Sequence, residues 1–366
     1  MPPIHVLIKP ASGNCNMRCA YCFYGDIVER RDVPSYGMMD LPTLENVVRK
    51  SLRYAEGECT IAFQGGEPTL AGLDFYKNLI EMQNKHNVNG VTIHNAIQTN
   101  GLLLDENWVS FLTRHDFLVG LSVDGIKSVH DSLRHDRSGK ETYGRVRDAA
   151  ALMDRYHTQY NILTVVTAQI ACRARKVYQQ YKKNGWRYMQ FIPCLDPFEE
   201  ERGRHTYSLS PQLYAEFLKE LFDQWYNDVS RGEFVSIRYF DNLVGMLRGY
   251  PPESCGMGGV CSIQYVVEAD GGVYPCDFYV TDAYRIGDLN TDGFEEIDQR
   301  RKDIGFIEDS YDSAKACASC PWHPLCRGGC RRDRDTPEGI GRNYYCDAYR
   351  DFFPYAIDRL QRLAQG

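Results

Sequence analysis

"CNMRCAYC", residues 15–22, sets three cysteines at C-x3-C-x2-C directly behind a short apolar run, "HVLIKP" at 5–10. A closed tetrahedral metal site takes four ligands, and iron–sulfur clusters are commonly held by four thiolates. Three closely spaced cysteines can hold three irons of a 4Fe–4S cube and leave the fourth open to a substrate. Spacing alone leaves a zinc site open as well, with His5, His94 or a distant cysteine as its fourth ligand.

The rest of the cysteines widen the question. The chain has 366 residues and 14 cysteines. Three lie at 15–22 and eight between 255 and 346; Cys59, Cys172 and Cys194 are scattered and read as small buried hydrophobes. The start, "MPPIHVLIKPASGN", lacks the basic segment, apolar core and cleavage site of an export signal. A cytoplasmic, reducing location is expected, where many thiols mean metal or redox chemistry rather than disulfides. The eight C-terminal cysteines run C255-x5-C261-x14-C276, then C317-x2-C320-x5-C326-x3-C330-x15-C346. They make two sets of four. Their C-x2-C pair suits zinc and iron–sulfur equally, and His323 lies among them.

From residue 4 to about 240, apolar runs alternate with helical patterns. The expected strands are 5–10, "TIAFQ" (60–64), "TIHNAIQ" (92–98), "LVGLSV" (118–123), "NILTVV" (161–166) and "MQFIPC" (189–194). Strands alternating with helices predict a parallel α/β sheet or barrel. Polar or glycine-rich segments follow the strands: "QGGEP" (64–68), "QTNG" (98–101), "SVDG" (122–125) and "CLDP" (194–197). In barrels such segments build the active site. A helix is expected from Ser210, with Pro211 in its first turn and Leu213, Phe217, Leu218, Leu221, Phe222 and Trp225 on one face. Beyond about 245 glycine and cysteine rise. A hairpin turned at Asp270-Gly271-Gly272 is expected there, then a closing helix interrupted or started by Pro354. The domain boundary is placed at 240/241, giving 1–240 and 241–366.

Net charge is −7, which argues against nucleic acid or an anionic membrane as partner. No apolar run approaches the ~20 residues that span a bilayer.

"CNMRCAYCFY" resembles the cluster loop of radical S-adenosylmethionine (SAM) enzymes, with Tyr21 as the aromatic before the third cysteine. "FQGGEP" (63–68) resembles their glycine-rich SAM motif, and the C-terminal cysteines resemble the SPASM extension. "IKPAS-x-x-C", "FQGGEPTLAG", "IQTNG", "RYFD" and "VYPCDFY" together resemble the anaerobic sulfatase-maturating enzymes along nearly the whole chain. The resemblance implies a partial (β/α)6 TIM-type barrel with a cysteine-rich C-terminal domain. It implies a radical SAM oxidoreductase that turns a cysteine or serine of a sulfatase into formylglycine without oxygen. The cofactors it implies are three 4Fe–4S clusters and SAM; the partners are an unfolded or nascent sulfatase and an electron donor such as flavodoxin or ferredoxin.

Residue by residue, the resemblance gives the radical-generating cluster to Cys15, Cys19 and Cys22. It gives one auxiliary cluster to Cys255, Cys261, Cys276 and Cys330, and the other to Cys317, Cys320, Cys326 and Cys346. Adjacency would instead have grouped 317, 320, 326 and 330. It gives the SAM amine to the backbone of Gly66, the ribose or methionine end to Ser122, the carboxylate to Arg134, and the adenine to Tyr21 and Leu195. Bare sequence reads Arg134 as a solvated loop arginine in polar "LRHDR". Asp277, next to Cys276, is the implied base for the substrate proton, with Tyr24 and Gln64 as lesser candidates for substrate contact. The rival reading is a SPASM maturase of a ribosomal peptide. Such enzymes often carry an N-terminal leader-binding domain, for which the 14 residues before Cys15 leave no room. An electron carrier or zinc-held interaction protein would leave "QGGEP" and the barrel pattern unexplained.

Overall fold

Each of the six apolar runs forms a strand within two residues of its expected ends. The computed structural model describes residues 3–198, 200–311, 317–336 and 339–365. In chain order the strands that position the site are β1 (Ile4–Ile8), β2 (Met17–Cys19), β3 (Glu58–Phe63), β4 (Thr92–Thr99), β5 (Leu118–Ser122), β6 (Arg134–Asp136), β7 (Tyr160–Val166), β8 (Tyr188–Pro193), β9 (Ser236–Ile237), β10 (Tyr265–Val267), β11 (Gly272–Tyr274) and β12 (Gly287–Asp288).

The chain divides into two units. The first comprises residues 1–122, 133–160 and 263–304. Its strands lie in the order β12-β11-β10-β1-β3-β4-β5. The pairings from β10 through β5 are parallel, and β11 and β12 add antiparallel. Parallel strands are covered on both faces, so their apolar runs are nearly continuous. Val6, Ile8, Ile61, Phe63, Ile97, Val119 and Leu121 are all buried, each contributing roughly 1.5–3 kcal/mol of transfer free energy. The helix Leu41–Tyr54 starts where Asp40 accepts the Thr43 amide at 2.8 Å, and it buries Leu44, Val47, Val48 and Leu52.

The hairpin at 270–272 forms as expected, with Val267 opposite Val273. Spacing did not reveal that its first strand lies parallel beside β1, with Val6 opposite Tyr265 and Ile8 opposite Val267. β10 is a fully buried "YVV", which is the pattern of a parallel strand rather than of a solvated hairpin.

The second unit comprises residues 123–132, 161–262 and 305–366. In it β7, β8 and β9 pair in parallel. Ser210 caps the helix Pro211–Val229 by accepting the Leu213 amide at 3.2 Å, and the expected apolar face is buried except for Leu213, in the first turn, which is half-buried. The helix Cys346–Gln365 packs on it, Phe352 meeting Phe222 edge-on at 5.7 Å. Pro354 neither starts nor interrupts this helix but sits inside it. A proline in a helix interior costs ~3 kcal/mol. Burial of Phe352, Phe353, Ala356 and Leu360 exceeds that at roughly 1.5–3 kcal/mol for each large side chain. The architecture is a parallel α/β core with a C-terminal cysteine-rich segment, and no closed barrel forms among the described residues. No helix among them is long and apolar enough to cross a membrane.

Candidate active site

The cysteine loop leaves β1 through Ser12, whose φ is +48°. It is fastened at several points. Cys15 Sγ accepts the Met17 amide at 3.4 Å, and Arg137 Nε donates to the Cys15 carbonyl at 2.6 Å. Cys22 caps the helix Phe23–Glu29, its sulfur accepting the Gly25 amide at 3.4 Å. Between them β2 pairs antiparallel with β6, which sets Cys19 opposite Arg134. Burial pushes the Cys15 thiol up to about 11; Glu67 and Cys22 add to the rise, and the Met17 amide and Arg134 oppose it. Such a thiol is protonated at neutral pH, so a metal must displace its proton.

Of the candidate SAM contacts in the first unit, Tyr21 lies in this loop and Arg134 and Gly66 lie against it. Arg134 is a buried strand residue rather than a solvated loop arginine, and its Nη1 donates to the Tyr21 hydroxyl at 3.0 Å. Ser122 ends β5 and accepts from Gln98 Nε2 at 2.9 Å. Gly66 donates its own N–H to Ser12 at 2.9 Å. Its carbonyl is then the backbone group able to accept from an ammonium. The need for glycine here has a cause the sequence did not show: a Cβ at Gly66 would stand 1.9 Å from the Asn14 carbonyl oxygen. The glycine-rich loop is thus pressed backbone to backbone on the cysteine loop. Leu195 lies in the second unit and is half-buried.

The side chain of Glu67 was missed by sequence reasoning, although it stands inside "QGGEP". It is completely buried. One oxygen accepts the Thr69 amide at 3.0 Å, the Thr69 hydroxyl at 2.6 Å and the Thr99 hydroxyl at 2.7 Å. The other takes the Asn100 amide at 2.8 Å, and Asn100 Nδ2 donates to Asn16 at 2.7 Å. A single carboxylate therefore ties the glycine-rich loop, the end of β4 and the cysteine loop. Burial pushes its pKa up, and the hydrogen bonds pull it back.

Asp277 is not an open carboxylate. It forms an ion pair with Lys9, whose side chain is fully buried, and accepts from Gln64 Nε2 at 2.9 Å. The Lys9 ammonium also lies 3.9 Å from the centre of the Tyr24 ring. Gln64 and Tyr24, weighed from sequence as substrate contacts, are joined to Asp277 by way of the carboxylate and of Lys9. The Tyr24 hydroxyl donates to Glu268, which also pairs with Arg31. Lys9 and Glu268 had no sequence signal beyond charges standing at the ends of apolar runs, and Arg31 none beyond a charge in polar "ERRD".

In the second unit the thiols fall into two neighbourhoods. Burial raises Cys330 above the usual thiol range, and Asp333, Cys255 and Cys261 add to it by like-charge repulsion. Cys326 is pushed up to about 11, by burial first and then by Cys346, Cys317 and Cys320. Cys330 thus neighbours Cys255 and Cys261, and Cys326 neighbours Cys317, Cys320 and Cys346. Cys276 lies in the first unit. Among the described residues no three His, Cys, Asp or Glu side chains close on a single metal ion. A four-iron cube takes one thiolate per iron, so its ligands are spaced around a larger body. The sulfur donors at 15–22, with Arg134 and the Gly66 backbone beside them, suit such a cube and a charged amino-acid headgroup.

Comparison with known proteins agrees with this chemistry. Residues 10–167 match the radical SAM superfamily and residues 255–321 the SPASM iron–sulfur cluster-binding domain. The chain is 48% identical, over 100% of both chains, to a cysteine-type anaerobic sulfatase-maturating enzyme of Clostridium perfringens (strain 13 / Type A). It is 30% identical to a serine-type enzyme of Klebsiella aerogenes, over 99% of this chain and 87% of that one. Its fold superposes with a TM-score of 0.95 at 47% identity on the solved structure of native anSMEcpe with bound AdoMet and Cp18Cys peptide, covering 100% of this chain and 99% of that one. With the cysteine loop, the glycine-rich loop and the C-terminal thiols all in place, the chain belongs to the anaerobic sulfatase-maturating enzymes, a family of radical SAM oxidoreductases carrying a SPASM domain.

Proposed function

We propose that this enzyme acts on cysteine: it oxidises a target cysteine of a sulfatase polypeptide to Cα-formylglycine. The observation that carries the choice is the higher identity, end to end, to the cysteine-type relative than to the serine-type one.

Cys15, Cys19 and Cys22 hold the radical-generating cluster in this reading. Cys255, Cys261, Cys276 and Cys330 hold one auxiliary cluster, and Cys317, Cys320, Cys326 and Cys346 the other; the inclusion of Cys276 rests on the family resemblance. When bound, SAM with a reduced cluster supplies the radical that removes a Cβ hydrogen, and the auxiliary clusters supply an acceptor for the second electron. Arg134 holds the SAM carboxylate through its planar fork, and the Gly66 carbonyl takes the ammonium. Ser122 holds the ribose or methionine end, and Tyr21 and Leu195 flank the adenine. Asp277 takes the thiol proton while Gln64 and Lys9 hold its carboxylate. Loss of a Cβ hydrogen, the thiol proton and one further electron leaves a carbon–sulfur double bond; water then replaces sulfur with oxygen and releases hydrogen sulfide.

The functional division runs at 240/241, with radical chemistry on 1–240 and the auxiliary clusters on 241–366. A reducing cytoplasm suits unoxidised thiols, and a flavodoxin or ferredoxin suits as electron donor. The test uses anaerobically reconstituted enzyme with SAM, dithionite and paired peptides bearing the sulfatase motif with cysteine or serine. Aldehyde and 5′-deoxyadenosine should form together on the cysteine peptide. Preferential turnover of the serine peptide overturns the choice, and turnover of neither peptide overturns the sulfatase reading.

A further inference from the structure

Lys9 and Glu268 leave neighbouring parallel strands at one level. Ile8 is the register partner of Val267, and the Lys9 amide donates to the Val267 carbonyl at 2.8 Å. Glu268 is fully buried, and so are the side chains of Lys9 and Arg31. One Glu268 oxygen accepts both the Tyr24 hydroxyl and the Arg31 guanidinium; the other accepts the Ala269 amide at 3.1 Å. Arg31 spends a second nitrogen on the Pro34 carbonyl at 2.9 Å. The cluster therefore holds two cations and two carboxylates, with the Tyr24 ring between the pairs.

We propose that Glu268 is a positioning residue: it fixes Tyr24 from behind, and the Tyr24 ring in turn aims the Lys9 ammonium at Asp277. The inference rests on the reading of Asp277 as the base. Lys9 needs such a guide. Its ammonium is a point charge on a flexible four-carbon stem, so the ion pair alone leaves the stem several paths to Asp277. A ring face at 3.9 Å removes most of them, because a desolvated cation is drawn to the negative face of an aromatic ring. The ring in turn has one polar handle, its hydroxyl, and that handle ends on Glu268. A hydroxyl donating to a carboxylate also enriches the ring in electron density, which strengthens its hold on the cation. Phe23, edge-on to Phe278 at 5.1 Å, packs the same helix against the segment carrying Asp277 but offers no charge. Arg31 balances Glu268, so the anchor is neutral as a pair and need not draw on Lys9.

The test is a double-mutant cycle of Tyr24→Phe and Glu268→Gln in the holoenzyme, assayed with a cysteine peptide. Each single variant should lower kcat for aldehyde about tenfold, the scale of a desolvated cation–π contact, with peptide KM within about twofold. Each should still release 5′-deoxyadenosine, so the ratio of deoxyadenosine to aldehyde rises. The double variant should be no worse than the poorer single one, because both cut the same chain of contacts. Additive losses, a change confined to KM, or a fall that only follows the melting temperature overturns the proposal. If Glu268→Gln fails to fold, Tyr24→Phe alone decides, and wild-type coupling in it overturns the proposal. Asp277→Asn is run beside them. If it keeps the aldehyde rate, the base reading fails; if it loses it while Glu268→Gln does not, the positioning role alone fails.

Discussion

Cys19 and Arg134 are register partners across the β2–β6 ladder, so the three-cysteine loop and the arginine beside it are one piece of structure. Arg134→Lys keeps the charge and loses the planar fork and the bond to Tyr21. SAM affinity should fall about tenfold to a hundredfold, the worth of one charge-assisted hydrogen bond, with iron content unchanged. Equilibrium binding to the reconstituted enzyme measures it. Unaltered affinity would remove Arg134 from the SAM site.

Asp277→Asn keeps the acceptor for Gln64 and removes the basicity. Aldehyde formation should drop by ~10²–10⁴-fold, the usual range for a general base, while 5′-deoxyadenosine continues to appear. Chromatography of the nucleoside and mass measurement of the peptide, on the same samples, separate the two half-reactions.

Glu67→Gln replaces one carboxylate oxygen by an NH2 group. Either way round, a donor then faces a donor, since both oxygens accept. A loss of at least about 2 kcal/mol of stability is expected from a buried group left unpaired, together with a slack cysteine loop. Iron lost from the 15–22 site, with the auxiliary iron retained, is the reading to look for; thermal unfolding of the metal-free protein supplies the stability.

Cluster assembly should release protons. Burial pushes the Cys15 and Cys326 thiols up to about 11, so both are protonated at pH 7 and, as ligands of the proposed clusters, would have to give up that proton to bind iron. Below 11, each pH unit upward should favour loading by about tenfold per such thiol. Reconstitution in weak buffer with an indicator dye counts the protons; no acidification would contradict the protonated resting state.

Asp241, of the "RYFD" segment, gives a pH dependence of opposite direction from the same cause, burial. Burial pushes its carboxyl from 3.8 to about 6, against the pull of the Ser236 hydroxyl. The folded state then binds the proton more tightly than the unfolded one. Its contribution is intact below about pH 4 and is lost as pH rises through about 6. Asp241→Asn should flatten that slope and raise stability above pH 6 by about 1–2 kcal/mol. Melting curves at pH 4 and pH 8 decide it.

The strands and the Ser210 helix cap were legible because burial on both faces writes continuous apolar runs, and because Ser210-Pro211 is a local signal. The three-cysteine motif was legible for the same reason of locality. The grouping of the C-terminal thiols was not: spacing joins Cys330 to Cys326, whereas the fold puts Cys330 near Cys255 and Cys261. The surroundings of Asp277 were invisible in the same way. Lys9 meets it from 268 positions away, and Tyr24 meets Glu268 from 244. A lysine closing an apolar run looks like any strand end until the distant carboxylate arrives. Pro354 misled because a local penalty was outweighed by packing on residues far along the chain.

The place of β10 beside β1 has a bearing on how the protein is made. Residues 4–8 leave the ribosome well before their outer neighbour, residues 265–267. At ~5–20 residues per second, β1 waits on the order of tens of seconds with one bare edge, the kind of edge that recruits stray strands. Glu268 and Asp277 travel on that late segment. The nascent chain therefore completes its cysteine loop long before it owns Glu268 and Asp277, and a ribosome stalled before residue 265 leaves a product that is both sticky and chemically unfinished.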